Sequence, residues 1–442
     1  MSNFVVSHAQ SLKGVIKVPG DKSISHRSIM LGSIANGVTR VSGFLEGEDA
    51  LSTLKAFQDM GVKIDRDGSN VTIHGVGMHG LKAPLGPLDL GNSGTSMRLM
   101  SGLLSAQSFD CELHGDESLT KRPMGRVIDP LTAMGAKIDS QDAKPPLVIK
   151  GGQKLSAIDY VLPVASAQIK SCLLLAGLYA KGTTSVTEGG ITRDHTERML
   201  RGFGYDVKTD NGRISLTGGG KLTACDIEVP SDISSSAFFM VAGCIAKDSD
   251  ITLEAVNINP TRTGVIDILK LMGGNIVLSN ERISGGELVA DIRVQSSDLK
   301  GINIPKKLVP LAIDEFPSLF IAASCATGET VLTGARELRV KESDRIQVMA
   351  DGLDILGIEN EVLEDGIRIQ GGQFSKPDSV IQSHHDHRIS MSFAIASLRC
   401  QHDIQIEGVD NVQTSFPNFV ELCTQIGMNI RETSQVSETP QL

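Results

Sequence analysis

"VIDILKLMGGNI", residues 265–276, carries apolar side chains at helical spacing as far as Met272, meets glycine at 273 and 274, and runs on into an alternating stretch. An amphipathic helix stopped by a left-handed glycine cap and followed at once by a strand is the simplest local structure with that pattern. The arrangement recurs in "TLKAFQDMGVKI" (53–64), "VIDPLTAMGAKI" (127–138), "TERMLRGFGYDV" (196–207), "MADGLDILGIEN" (349–360) and "FVELCTQIGMNI" (419–430). By subtraction, the stop glycines Gly61, Gly135, Gly204, Gly273, Gly357 and Gly427 lie 74, 69, 69, 84 and 70 residues apart. One such ending carries no weight, but six at near-regular intervals predict a repeated unit of about 70 residues.

Each repeat holds a second, more apolar helix that opens on polar residues: "DKSISHRSIMLGSIA", "NSGTSMRLMSGLLSA", "ASAQIKSCLLLAGLYA", "SDISSSAFFMVAGCIA", "DEFPSLFIAASCA" and "DHRISMSFAIASL". A short alternating strand follows each, such as "DITLEA" or "DIQIEG", so the unit reads β-α-β-α-β-β and the class is α/β. Helices this apolar are expected to be buried on nearly all sides. For any one of them a polar start is ordinarily an N-cap. Each helix end also carries roughly half a positive charge, so several starts facing one cleft would suit a polyanion.

Three units per domain would give two domains, with crossovers near Pro19–Gly20 and near "PSDISSS" (230–236). The expected division is 20–232 for the first, 1–19 with 233–430 for the second, and a polar tail over 431–442.

A chain of 442 residues, 40% hydrophobic and 21% charged, is ordinary globular material, and its net charge of −10 argues against a surface that binds nucleic acid or anionic lipid. Any anion site must be a local cluster of cations. Seven scattered cysteines without a C-x-x-C pair read as reduced thiols. With no signal-like N-terminus and no apolar run long enough to span a bilayer, a soluble cytoplasmic protein is expected.

The candidate binding groups sit mostly at the helix starts. "PGDKSISHRS" (19–28) offers Lys22, Ser23 and Arg27, the last two stacked four apart; with Asp21 between Gly20 and Lys22 it is not a phosphate loop. "LGNSGTSMR" (90–98) offers Asn92, Ser93, Gly94, Thr95 and Arg98, with Gly94 letting a ligand approach the backbone closely; the alternative is a capped core helix with a solvent-facing Arg98. "SLTKRPMGR" offers Arg122, whose planar guanidinium grips carboxylate or phosphate in two places. "VASAQIK" and "ITRDHTE" add Ser166, Gln168 and Arg193. In "ELRVKESDRIQ" (337–347), Lys341, Glu342 and Arg345 stand in what alone reads as a solvated helix face. "LAIDEFPSL" places Asp314 and Glu315 at a helix start, as caps or, beside cations, as a general base. "HHDHRIS" (384–390) lacks the remaining ligands of a metal site, so no metal is expected there, and Asp386 and His387 read as supports for Arg388.

In that order "PGDKSISHR", "LGNSGTSMR", "RPMGR", "VASAQIKS", "RVKESDR" and "DHR" resemble the 5-enolpyruvylshikimate-3-phosphate synthases across nearly the whole chain. The resemblance implies an enolpyruvyl transferase fold, an inside-out α/β barrel in two domains that close over a cleft. It implies transfer of the enolpyruvyl group of phosphoenolpyruvate to the 5-hydroxyl of shikimate 3-phosphate, releasing phosphate, with no cofactor and no metal; a monomer is expected because two halves of one chain can supply the cleft. Lys22, Ser23, Arg27, Ser166, Gln168, Asp314 and Lys341 would contact shikimate 3-phosphate, with Ala167 beside them. Arg122, Arg345 and Arg388, with Lys22, Gln168 and the Gly94 backbone, would hold phosphoenolpyruvate. Asp314 and Glu342, with Lys22 as a third candidate, would move protons. On this basis Arg122→Ala and Arg345→Ala should fold normally and lose most turnover.

Thr414 in "TSFP" stands where many members carry Lys, and Glu337 where Asn is common. Thr414, together with "RPMGR" and "RDHTE", looks like the second class of the synthases, in which Arg193 replaces a contact made otherwise elsewhere. Gly94 leaves room that an alanine would fill, which implies moderate sensitivity to glyphosate. A related transferase acting on a UDP-linked amino sugar is the nearest rival; it carries a reactive loop cysteine, where only Cys111 is offered here. A non-catalytic anion-binding paralogue is the rival from another class.

Overall fold

The structure is a computed structural model that describes residues 2–434. All six amphipathic helices end as their glycines require. Gly61, Gly135, Gly204, Gly273, Gly357 and Gly427 have φ between +73° and +104°. In each case the glycine N–H and the next N–H return to carbonyls three and five residues back; in the first, Gly61 N bonds Gln58 O and Val62 N bonds Phe57 O. That paired closure satisfies helix carbonyls left over by the last turn, and a left-handed residue is its geometric condition.

The chain separates into two compact units. One is Gly20–Pro230 together with a hairpin tip, Ile283–Glu287; the other holds the chain up to Pro19, Ser231–Arg282 and the chain from Leu288. The second crossover lies at Pro230–Ser231 rather than after residue 232, because Asp232 already serves the next helix, accepting from the Ser234 N–H. At the first crossover Gly20 is obligatory: a Cβ there would stand 1.9 Å from the Gly43 carbonyl oxygen.

In the 20–230 unit three sheets of four strands surround three buried helices, Lys22–Ile34, Gly94–Leu104 and Ala167–Gly177. Each sheet has one parallel edge pair and two antiparallel pairs. Leu88–Asp89, for example, runs parallel to Cys111–His114, which is followed across the sheet by Lys144–Lys150 and Lys137–Gln141. The first sheet takes its opening strand, Ile227–Glu228, from the far end of the unit.

The other unit repeats the plan around Ile233–Ile245, Phe316–Ser324 and His387–Ala396. Every residue of Ile233–Ile245 is buried. The N-terminal chain completes two of its sheets: Lys13–Ile16 opens one, parallel to Asp250–Asn257, and Ser2–Ser7 lies between Ile404–Glu407 and Asn429–Ser434 in another. The middle sheet has three strands, with an isolated parallel bridge, Asn303–Val331, where the opening strand would stand. The tail expected from residue 431 begins later, since residues 431–434 pair with the N-terminal strand; the rest of it lies outside the described residues.

Candidate functional site

The simple N-cap expectation holds for five of the six buried helices. Asp21, Ser93, Ser166, Asp232 and Asp386 each accept a backbone N–H of their own first turn. Ser166, expected as a ligand donor, accepts from Ile169 N at 3.4 Å, and its hydroxyl hydrogen is not used by that bond. Glu315 at the fifth helix makes no side-chain cap bond.

In the 20–230 unit the starts of the second and third buried helices are tied together. Arg98 Nη1 donates to Gln168 Oε1 at 2.7 Å, and Gln168 Nε2 donates to Thr95 Oγ1 at 3.1 Å. Arg122 Nη2 donates to Asn92 Oδ1 at 2.7 Å and to Ser118 Oγ at 3.2 Å. A Cβ on Gly94 would come within 2.9 Å of Arg98 Nη1 and 3.2 Å of Arg122 Nη1. Two guanidinium groups thus crowd one helix N-terminus, where the N–H groups already favour an anion. Arg98 is therefore part of this cluster and not a solvent-facing residue.

Lys22 pairs with Asp49, a buried carboxylate of helix Glu48–Asp59. Its side chain keeps 26% exposure, so the ammonium is held without being sealed off. Arg27 is buried and braces the unit: Nε donates to Thr196 Oγ1 at 2.7 Å, Nη2 to Ser171 Oγ at 2.9 Å and Nη1 to the Ser23 carbonyl at 2.9 Å. Ala167 begins the third buried helix, and Arg193 lies half-buried just ahead of helix His195–Gly202.

Beneath Lys22, His26 Nδ1 lies 2.8 Å from Thr53 Oγ1 and 3.2 Å from Ser96 Oγ, and Ser96 Oγ lies 2.8 Å from Ser93 Oγ. Burial, with Lys22 and Arg27 adding to it, pushes the His26 imidazole well below its usual range and keeps it neutral.

In the other unit the basic run is not a solvated face. Arg345 is buried; its Nε donates to Asp386 Oδ2 at 2.8 Å and its Nη2 to Glu342 Oε2 at 2.6 Å. Burial alone works against the guanidinium charge, but the carboxylates of Asp386, Glu342 and Asp314 outweigh it and hold the group above its usual range. Its Nη1 is buried, 3.5 Å from Asp314 Oδ1, and makes no hydrogen bond among the described residues. Lys341 Nζ stands 3.2 Å from the same Asp314 oxygen. Arg388 Nη1 donates to the Asp314 carbonyl at 2.8 Å. Among the described residues the Asp386 carboxylate supports Arg388 by accepting its backbone N–H at Oδ1, at 3.0 Å, and otherwise serves mainly the Arg345 guanidinium.

These contacts revise one expectation. Removing Arg345 strips the buried Asp386 carboxylate of its counter-charge, a change that commonly costs about 3–5 kcal/mol, so Arg345→Ala should not fold with normal stability. Asp49 escaped the sequence reading, although it shares the inward face of its helix with Ala50, Thr53, Leu54 and Phe57, and an acid on an apolar face is a signal. Nothing in "NINPTRTG" marked Arg262, which is buried and donates to Asp232 and Ser234.

The profile of the family described as EPSP synthase (3-phosphoshikimate 1-carboxyvinyltransferase) matches residues 6–422. A 3-phosphoshikimate 1-carboxyvinyltransferase of Ruthia magnifica is 74% identical over 97% of this chain and 99% of its own. Its counterpart in Hydrogenovibrio crunogenus is 61% identical over 97% of this chain and 99% of its own. A solved structure of EPSP synthase from Acinetobacter baumannii superposes with a TM-score of 0.88 at 60% identity, covering 98% of this chain and all of that one. The enolpyruvyl transferase NikO from Streptomyces tendae, at 16% identity and a TM-score of 0.78 over 98% of this chain and 99% of its own, shares the fold.

Proposed function

The chain belongs to the EPSP synthase family, and from that membership we propose how its two side-chain clusters carry the transfer of the enolpyruvyl group of phosphoenolpyruvate to the 5-hydroxyl of shikimate 3-phosphate. In the addition step the hydroxyl oxygen bonds to the central carbon of phosphoenolpyruvate, the hydroxyl proton leaves to a base, and a proton arrives at the methylene carbon. In the elimination step the new methyl group returns a proton as the carbon–oxygen bond to phosphate breaks. Protons balance over the two steps, and inorganic phosphate is the leaving group.

Arg122, Arg345 and Arg388, with Lys22, Gln168 and the Gly94 backbone, take phosphoenolpyruvate. Lys22, Ser23, Arg27, Ser166, Ala167, Gln168, Arg193, Asp314 and Lys341 take shikimate 3-phosphate. The observation that carries this assignment is the position of Gly94, a helix start with two guanidinium groups around the place of its missing side chain. Fixed cations of this kind favour a departing phosphate far more than mobile solvent does. Asp314, 3.2 Å from Lys341 Nζ and 3.5 Å from Arg345 Nη1, accepts the hydroxyl proton; Glu342 and Lys22 serve the carbon.

The second class of synthases is the finer placing. Thr414 Oγ1 donates to the Asn411 carbonyl at 2.6 Å, so position 414 supplies no charge where many members carry Lys. Gly94→Ala should weaken inhibition by glyphosate while activity persists; unchanged inhibition would count against that placing. We place the enzyme in the cytoplasm as a monomer, a reading in keeping with seven unpaired cysteines. No described helix is long and apolar enough to cross a membrane.

The rival chemistry on a UDP-linked sugar needs a reactive thiol. Cys111 is instead a buried strand residue whose thiol is pushed up to about 12 by burial, with Asp110 adding to the effect. The test is phosphate release. Phosphate should appear only when both substrates are present, and binding of both without release would favour the non-catalytic reading.

A further inference from the structure

Glu315 is a buried carboxylate, 2% exposed, that none of the roles above uses. It occupies the N-cap position of helix Phe316–Ser324 but does not cap it. One oxygen, Oε1, accepts the Ser234 hydroxyl and lies 3.9 Å from both Arg262 Nη2 and Arg388 Nη1. The other, Oε2, is buried and has no hydrogen-bond partner among the described residues.

An ionised carboxylate is costly to bury with so few hydrogen bonds unless cations compensate it. Of the two cations nearby, Arg262 is committed: it is 2% exposed and its Nη2 donates to Ser234 Oγ at 2.7 Å and Asp232 Oδ1 at 3.2 Å. The Ser234 hydroxyl therefore receives from Arg262 and donates to Glu315, which fixes the carboxylate from behind. Arg388 is held more lightly, through Nη1 to the Asp314 carbonyl, and retains some exposure. A fixed negative charge beside a lightly held guanidinium sets where that guanidinium rests.

We propose that Glu315 is a positioning residue that orients the Arg388 guanidinium, and through it sets the affinity for phosphoenolpyruvate, without taking part in proton transfer. This inference rests on the assignment of Arg388 to that substrate. It gives a role to the second carboxylate of "LAIDEFPSL" that capping does not.

The test is steady-state kinetics on Glu315→Gln, which keeps the shape and removes the charge, together with Arg388→Ala and the double variant. Glu315→Gln should raise KM for phosphoenolpyruvate about tenfold, with kcat, KM for shikimate 3-phosphate and the pH dependence of kcat nearly unchanged. In the Arg388→Ala background the same substitution should add nothing. Ser234→Ala should raise the same KM by a smaller factor, which keeps the test open if Glu315→Gln folds poorly.

A fall in kcat with an altered pH dependence would overturn the proposal in favour of proton transfer. An undiminished effect without Arg388 would overturn it in favour of a general structural role. If Arg388→Ala leaves KM for phosphoenolpyruvate unchanged, the assignment of Arg388 fails first and takes the proposal with it. If Arg388→Ala raises that KM while Glu315→Gln and Ser234→Ala do not, the proposal fails alone.

Discussion

A neutral histidine under a lysine and an arginine leaves a thermodynamic trace. The folded-state pKa of His26 lies well below the ordinary 6.5, so as pH falls under about 6.5 the unfolded chain takes up a proton that the folded chain refuses. Stability is therefore lost on acidification, and the loss continues until the pH reaches the depressed folded value. His26→Gln should flatten the dependence of the denaturation midpoint on pH between about 6.5 and 5 relative to the parent protein; parallel curves would show that another group governs it. Arg345→Ala is the contrasting case. It should lower stability by about 3 kcal/mol or more, seen as a lower denaturation midpoint, as well as activity, because the buried Asp386 carboxylate loses its partner, whereas Arg122→Ala should lose turnover with little loss of stability. Equal stability of the two variants would contradict the geometry around Arg345. At this scale the sequence is legible only in part. Which residues are charged and stand at helix starts is local information, and Lys22, Arg122 and Arg388 were legible. Which carboxylate faces which cation is tertiary information, and the pairings of Lys22 with Asp49 and of Arg345 with Asp386 were not.

Among the elements, the helix ends were the most legible feature because glycine has one dominant reason to stand where a helix must turn left-handed. Gly204 isolates that reason, since its φ is +79° and a Cβ would meet nothing within 4 Å. Gly204→Ala should therefore cost about 1–2 kcal/mol of stability, all of it conformational, with turnover intact. No loss of stability would mean that the cap relaxes by another route. Strands were less legible where the chain leaves one sheet and supplies another. Ile227–Glu228 and Lys13–Ile16 are short opening strands paired with segments far away in sequence, and a short alternating run does not say which edge it will join.

For the whole molecule the repeat predicts six similar units, and the described residues form six sheets. The hairpin tip Ile283–Glu287, which belongs with the 20–230 unit, had no signal in "SNERISGGELV" beyond a glycine turn. Its assignment rests on contacts such as His195 Nδ1 to Glu287 Oε1 at 2.8 Å, and a distant histidine cannot be inferred from a local turn. The same holds for the functional claim, which draws on residues far apart in the sequence. Phosphorus NMR of the enzyme with equimolar phosphoenolpyruvate and shikimate 3-phosphate follows both substrates at once. The phosphoenolpyruvate signal should give way to inorganic phosphate in step with a new enolpyruvyl product whose shikimate phosphate ester is retained. Persistence of both starting signals, or phosphate formed without shikimate 3-phosphate, would contradict the assignment.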